Sequence, residues 1–291
     1  MFKSFLISLR ADHWVKNTLL FAGIIFSQNV SNIDFLLKTL FAFGIFCALA
    51  SGLYILNDIL DLNKDRKHPE KQFRPIASGK FPVRLAFFSS MVLIALAISF
   101  GFSLDMNFGW LCLLYLFLNV LYSIIIKKIV ILDVFVIGFD FVIRAVAGAV
   151  VIKVNVSPWL ILCTFLLSLF LGFGKRRQEL ILLKNKAKSH RASLEEYSSY
   201  FLDQMMAIVT AATVMSYALY TMNERTIEMF GTDKLLYSIP FVLFGIFRYL
   251  YLVYQKNKGG NPTHVLLTDF PTQINILLWL LFVTAIIYMH S

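Results

Sequence analysis

The sequence predicts an all-α polytopic membrane protein with nine transmembrane helices. Three observations lead there. Of the 291 residues, 58% are hydrophobic and only 15% charged, where a soluble domain carries about a quarter charged residues. Apolar stretches long enough to cross a bilayer, about 20 residues each, run near 15–31, 34–56, 83–104, 108–126, 130–152, 157–174, 205–223, 235–255 and 273–290. The basic residues between them alternate in density from one side to the other. No internal repeat and no Pro/Gly/Ser-rich linker divides the chain, so residues 1–291 read as one domain.

The formal net charge of +10 would suit nucleic acid, but its placement does not. With a cytoplasmic N-terminus, 21 of the 27 Lys and Arg residues fall on the cytoplasmic side, four on the other and two inside spans. That is the positive-inside asymmetry of a plasma (inner) membrane protein. It sets the N-terminus in and the C-terminus out. Cys47, Cys112 and Cys163 are scattered in apolar segments without ligand spacing and read as packing residues.

The first span opens with Arg10-Ala11-Asp12-His13-Trp14-Val15-Lys16-Asn17. Trp14 suits an interfacial anchor, and Lys16 suits either snorkelling or binding a phosphate. The second span ends in Asn57-Asp58-Ile59-Leu60-Asp61-Leu62-Asn63-Lys64-Asp65. Continued as one helix, residues 57, 58, 61 and 65 share an arc of about 100°. Like charges so placed repel by a few tenths of a kcal/mol. A solvated helix end tolerates that, and a hard dication among oxygen ligands would explain it; magnesium is such an ion and shares its shell with substrate phosphates. The basic loop that follows carries Lys71 and Arg74, suited to the rest of a polyphosphate.

Tyr122 and Lys127 close the fourth span. In the fifth, Asp133, Asp140 and Arg144 lie seven and four apart, on one helix face. Asp140 and Arg144 could form an i,i+4 pair, or the stripe could wall a wet cavity, because unpaired ionisable groups in a span cost several kcal/mol. The sixth span ends in Gly174-Lys175-Arg176-Arg177-Gln178-Glu179. Those cations complement a helix C-terminus or hold an anion. The loop beyond, to Asp203, contains Tyr197 and is long enough to fold over a cavity mouth. Arg248, two turns inside the eighth span, suits snorkelling or a lipid phosphate.

Taken together, Asn57–Asp65, His68-Pro69 and Arg74-Pro75-Ile76-Ala77-Ser78-Gly79 resemble the signature of the UbiA-type intramembrane prenyltransferase superfamily. Within it, His13-Trp14-Val15-Lys16-Asn17, Tyr122-Ser123, Asp133-Val134-Phe135, Arg144-Ala145, Ser157-Pro158-Trp159, Gly174–Arg177 with Glu179, and Arg248-Tyr249-Leu250-Tyr251 are similar to the decaprenyl-phosphate phosphoribosyltransferase branch. The resemblance covers essentially the whole chain. Aromatic prenyltransferases carry a second Asp-rich motif after the sixth span, and here Lys175–Glu179 stands in its place.

The resemblance implies a nine-helix bundle with a central cavity open to the cytoplasm, and loops about 57–82 and 175–203 capping the active site. It implies Mg2+-dependent transfer of 5-phosphoribose from phosphoribosyl diphosphate (PRPP) to a polyprenyl phosphate, with diphosphate released. Asn57, Asp58, Asp61 and Asp65 would hold the metal. Asn57, Asp58, Asp61, Arg74 and Lys175 would do the chemistry. Lys16, Asp65, Lys71, Tyr122, Lys127, Asp133, Arg144, Arg176, Arg177, Glu179, Tyr197 and Arg248 would contact substrate. Two other classes use similar parts. An aromatic prenyltransferase would ionise an allylic diphosphate at the same acids, and a secondary transporter would place its ionisable groups near the midplane between repeats. The partners expected are PRPP, the lipid phosphate and the bilayer, with homo-oligomerisation left open and nucleic acid excluded.

Overall fold

The computed structural model describes residues 1–183, 193–256, 260 and 262–289. After a short helix α1 (Phe2–Ser8), a 3₁₀ stretch (Ala11–Leu20) runs into α2 (Phe21–Phe26). There follow α3 (Ile33–Leu60), α4 (Leu62–Asp65), α5 (Val83–Leu104), α6 (Met106–Ile124), α7 (Leu132–Val151) and α8 (Pro158–Leu183). The chain continues with α9 (Ser193–Glu196), α10 (Ser199–Met222), α11 (Glu224–Phe230), α12 (Ile239–Tyr254), α13 (Pro262–Thr268) and α14 (Phe270–Met289). No strand occurs among the described residues.

Eight described helices are long and apolar enough to cross a membrane. They match the expected spans from the second onward, and α3 is properly started by Asn32, whose side chain accepts from the Phe35 N–H. The expected first span, 15–31, is built instead from the 3₁₀ stretch and α2. Gly23 and Gly148 explain how this broken segment is held. A Cβ on Gly148 would lie 1.9 Å from the Leu20 carbonyl oxygen, and one on Gly23 would lie 2.8 Å from the Ala149 backbone. Small residues thus let this segment and α7 approach backbone to backbone, the usual packing device where lipid supplies no hydrophobic drive.

Helix boundaries differ from expectation at two places that matter. The acidic helix does not run straight to residue 65: α3 stops at Leu60, Asp61 leaves the helical region, and α4 restarts at Leu62. In contrast, α8 does not stop at Gly174 but carries Lys175–Glu179 as helix through to Leu183. Residues 184–192 of the expected lid lie outside the described residues.

Two cores form. One joins α3, α5, α6 and α7 around Phe46, Leu49, Phe108 and Tyr115. The other joins α7, α8, α10 and α12 around Val134, Phe170, Phe173 and Tyr249. Helix α7 belongs to both and ties the halves together. Large apolar side chains such as Phe88, Trp110, Phe117 and Leu281 face outward, as a lipid-facing surface requires. The cysteines are free. Trp14, expected as an interfacial anchor, turns inward and donates to Ser51 Oγ at 3.0 Å, while Ser51 donates to the Leu9 carbonyl.

Gly148→Val should therefore lower the stability of the detergent-solubilised protein by about 2 kcal/mol or more, seen as a fall in the thermal unfolding midpoint. Gly44→Ala, at a position with nothing within 4 Å, should leave the midpoint unchanged or slightly raised.

Candidate active site

A single cavity of about 3100 Å3 occupies the middle of the bundle. Its lining runs from the acidic motif at one end to Lys153 and Arg225 near the other, with apolar side chains such as Leu167, Leu171 and Ile276 between. Asn57, Asp58, Asp61 and Asp65 all line it, so the break at Asp61 does not scatter them.

What surrounds the acids is cationic. Arg10 and Arg74 both donate to Asp58 Oδ1, the latter at 3.0 Å, and Arg74 also reaches Asp65 Oδ2 at 2.6 Å. Lys127 Nζ donates to Asp61 Oδ1 at 2.7 Å. Burial pushes the Asp65 carboxyl above the usual range, and the Arg74 guanidinium opposes that shift. Among the described residues, no three His, Cys, Asp or Glu side chains lie close enough together to hold a metal. The donor chemistry suits a hard dication, being all oxygen, from a carboxamide and three carboxylates that line the same cavity. Arg10, Arg74 and Lys127 supply the compensating charge in this arrangement.

Helix α6 turns one face to the cavity as a ladder with a four-residue step. Lys127, just past its end, meets Asp61. Ser123 Oγ donates to Asn57 Oδ1 at 3.1 Å. Asn119 Nδ2 donates to Asp140 Oδ1 at 2.9 Å. Tyr115 Oη accepts from Arg144 Nη2 at 2.6 Å. Each rung lies about 6 Å deeper than the last.

Of the two readings of the α7 stripe, the i,i+4 ion pair is not formed, and Asp140 and Arg144 both line the cavity. Arg144 is satisfied by Tyr115, by Asn17 Oδ1 at 2.8 Å and by the Asp140 backbone carbonyl at 2.7 Å, so its fork has no need of the carboxylate. The guanidinium also lies 4.8 Å from the Tyr115 ring centroid. Lys16 lines the cavity nearby, within electrostatic reach of Lys175, Arg144, Arg10 and Asp140.

The expected substrate contacts fall into two groups. Lys16, Lys71, Tyr122, Lys127, Arg144 and Glu179 line the cavity, as do Arg74 and Lys175. Asp133, Arg176, Arg177, Tyr197 and Arg248 do not. Arg176 is 1% and Asp133 0% exposed, and they join at 2.8 Å. Arg176 also donates to Glu179 at 2.6 Å and Tyr122 at 3.3 Å, while Tyr197 Oη donates to Asp133 at 2.8 Å and accepts from the Ile131 N–H. This closed knot fastens α8 to α7 and explains why α8 continues past Gly174. Arg177 is taken by Asp203 at 2.5 Å and the Tyr254 ring, and Arg248 by both oxygens of Asp269. The Arg248 guanidinium holds the Asp269 carboxyl down to about 2.

Sequence reading passed over Arg10, Tyr115, Asn119 and Ser123 as site residues. The four-residue spacing from Tyr115 to Lys127 was the available signal for three of them. Nothing local announced Arg10, which sits in a left-handed turn (φ 52°) that aims it at Asp58.

A helical bundle in lipid, with oxygen ligands and cations gathered at one end of an apolar cavity, defines an integral membrane transferase. The UbiA prenyltransferase family model matches residues 18–263, and the chain belongs to that family. It is 32% identical to the decaprenyl-phosphate phosphoribosyltransferase of Corynebacterium glutamicum over 97% of this chain and 86% of that one. It is 31% identical to the enzyme of the same name from Mycobacterium tuberculosis, over 96% and 92%. The fold superposes on a UbiA homolog from Archaeoglobus fulgidus bound to GPP and Mg2+, with a TM-score of 0.74, 18% identity, and 98% and 99% of the two chains covered.

Two neighbouring basic residues should separate by phenotype. Arg176→Ala, which strands Asp133 in the interior, should lose about 3–5 kcal/mol of stability in thermal unfolding. Lys175→Ala, at a side chain 42% exposed, should stay within about 0.5 kcal/mol of the parent while losing transferase activity.

Proposed function

We propose that this enzyme transfers 5-phosphoribose from PRPP to a polyprenyl phosphate, releasing diphosphate, at the cytoplasmic face of the plasma membrane. The observation that carries the reading is the mixed character of the cavity head: oxygen ligands for a metal–diphosphate, with Lys16 and Lys175 close by for further phosphates. The names of the full-length relatives support the same reaction.

The bond from the anomeric carbon to the diphosphate oxygen breaks, and the diphosphate leaves with the electron pair. A lipid phosphate oxygen forms the new bond to that carbon. Asn57, Asp58, Asp61 and Asp65 would hold Mg2+, which when bound neutralises charge on the departing diphosphate. Arg10 and Arg74, already against Asp58, are placed to transfer their hydrogen bonds to the diphosphate as charge grows there. The acceptor is already anionic near neutral pH, so no general base is required. The apolar middle of the cavity takes the polyprenyl tail from the bilayer.

Membranes given labelled PRPP and polyprenyl phosphate should put label into lipid, and the same membranes given a labelled prenyl diphosphate and an aromatic acceptor should not. Asp58→Asn and Asp61→Asn should each lower diphosphate release from PRPP by about 100-fold or more, and chelation of divalent metal should do the same reversibly. Label entering lipid from the prenyl donor alone, or near-normal release in both variants, would refute the reading.

A further inference from the structure

Asp140 is an acid on the ladder to which the proposed reaction gives no role. Its carboxylate lines the cavity two turns deeper than Asp133 on α7. The motif acids Asp58, Asp61 and Asp65 each hold a cation, whereas among the described residues Asp140 holds none within ion-pair distance and its side chain accepts from the Asn119 amide on Oδ1. Asn119 is itself fixed, because the same Nδ2 donates to the Tyr115 carbonyl at 2.9 Å. A carboxylate so oriented has acceptor capacity left over, facing the cavity.

The occupants of this cavity are mostly things a carboxylate repels or ignores. Phosphates carry its own sign, and an apolar tail offers it no donor. Neutral hydroxyls are what it can hold, and O–H donors to a carboxylate make short, strong hydrogen bonds. Position agrees with chemistry. Asn119 stands one helical turn, about 6 Å, below Ser123, whose hydroxyl touches Asn57 of the metal-binding motif. In the donor, the sugar ring is bonded directly to the diphosphate. A diphosphate held at the Asn57 rung therefore brings the ring to the next rung down. The next rung down carries the Arg144 guanidinium, held by Tyr115, so Asp140 stands as an acceptor between the metal-motif rung and a cation.

We propose that Asp140, oriented by Asn119, accepts hydrogen bonds from the ring hydroxyls of the sugar donor and makes the site specific for a ribosyl over a deoxyribosyl diphosphate. The proposal rests on the phosphoribosyl reading above.

The test compares PRPP with its 2-deoxy and 3-deoxy analogues as donors to polyprenyl phosphate, in the unmodified enzyme and in Asp140→Asn and Asp140→Ala. The unmodified enzyme should favour PRPP over at least one analogue by about 10- to 100-fold in kcat/KM. In Asp140→Ala that ratio should collapse toward unity, with KM for PRPP rising more than kcat falls, and Asp140→Asn should lie between. An Asp140 that merely balances Arg144 and Lys16 would lower turnover of all donors by one factor and keep the ratio, which overturns the proposal. So does an unmodified enzyme that accepts all three donors equally, a result that needs no variant to fold. Turnover without discrimination removes Asp140 alone, whereas no phosphoribosyl lipid from PRPP removes the reaction itself.

Discussion

No charge inside this bundle can be left without an answering group, because a desolvated ion costs several kcal/mol unless something compensates it. That constraint organises both ends of the cavity head. Asp58 and Asp65 share Arg74, Asp58 also takes Arg10, and Asp61 takes Lys127. Each motif carboxylate is thus answered by a cation rather than left facing its like-charged neighbours. The cations that stabilise them are also the groups a polyphosphate would attract. Binding substrate becomes an exchange of partners within one electrostatic set, rather than the creation of charge in an apolar interior.

The same constraint distinguishes residues that look alike on paper. Lys175, Arg176 and Arg177 are consecutive, but each step along an α-helix turns the side chain about 100°. One therefore faces the cavity, one is buried against Asp133 between α7 and α8, and one lies against Asp203 and Tyr254. Only the first is placed to meet a substrate. The second holds the two halves of the bundle in register, and through Tyr122 and Glu179 it touches the cavity wall it never enters.

Much of this was legible in the residue order. Apolar runs located eight long helices, and Asn57, Asp58, Asp61 and Asp65, singled out by their spacing, all line the cavity. Local pattern failed where long-range contacts decide. At the restart after Asp61 and along the extension of α8 past Gly174 stand contacts that no local pattern announces, Arg74 with Asp58 and Asp133 with Arg176. Arg144 and Asp140 have the right spacing for a pair, yet Asn17 and Tyr115 satisfy the guanidinium from other helices.

Composition and periodicity by themselves determined that the chain lives in a bilayer, roughly where it crosses, and which residue types gather at the basic end. They could do so because burial in lipid acts on each segment separately and leaves its mark on each segment's own residues. Which ionisable groups serve chemistry and which serve cohesion was decided only by tertiary structure. A side chain's role here depends on the partner that reaches it, and those partners (Arg10 for Asp58, Asn119 for Asp140, Asp133 for Arg176) come from elements that no local pattern connects.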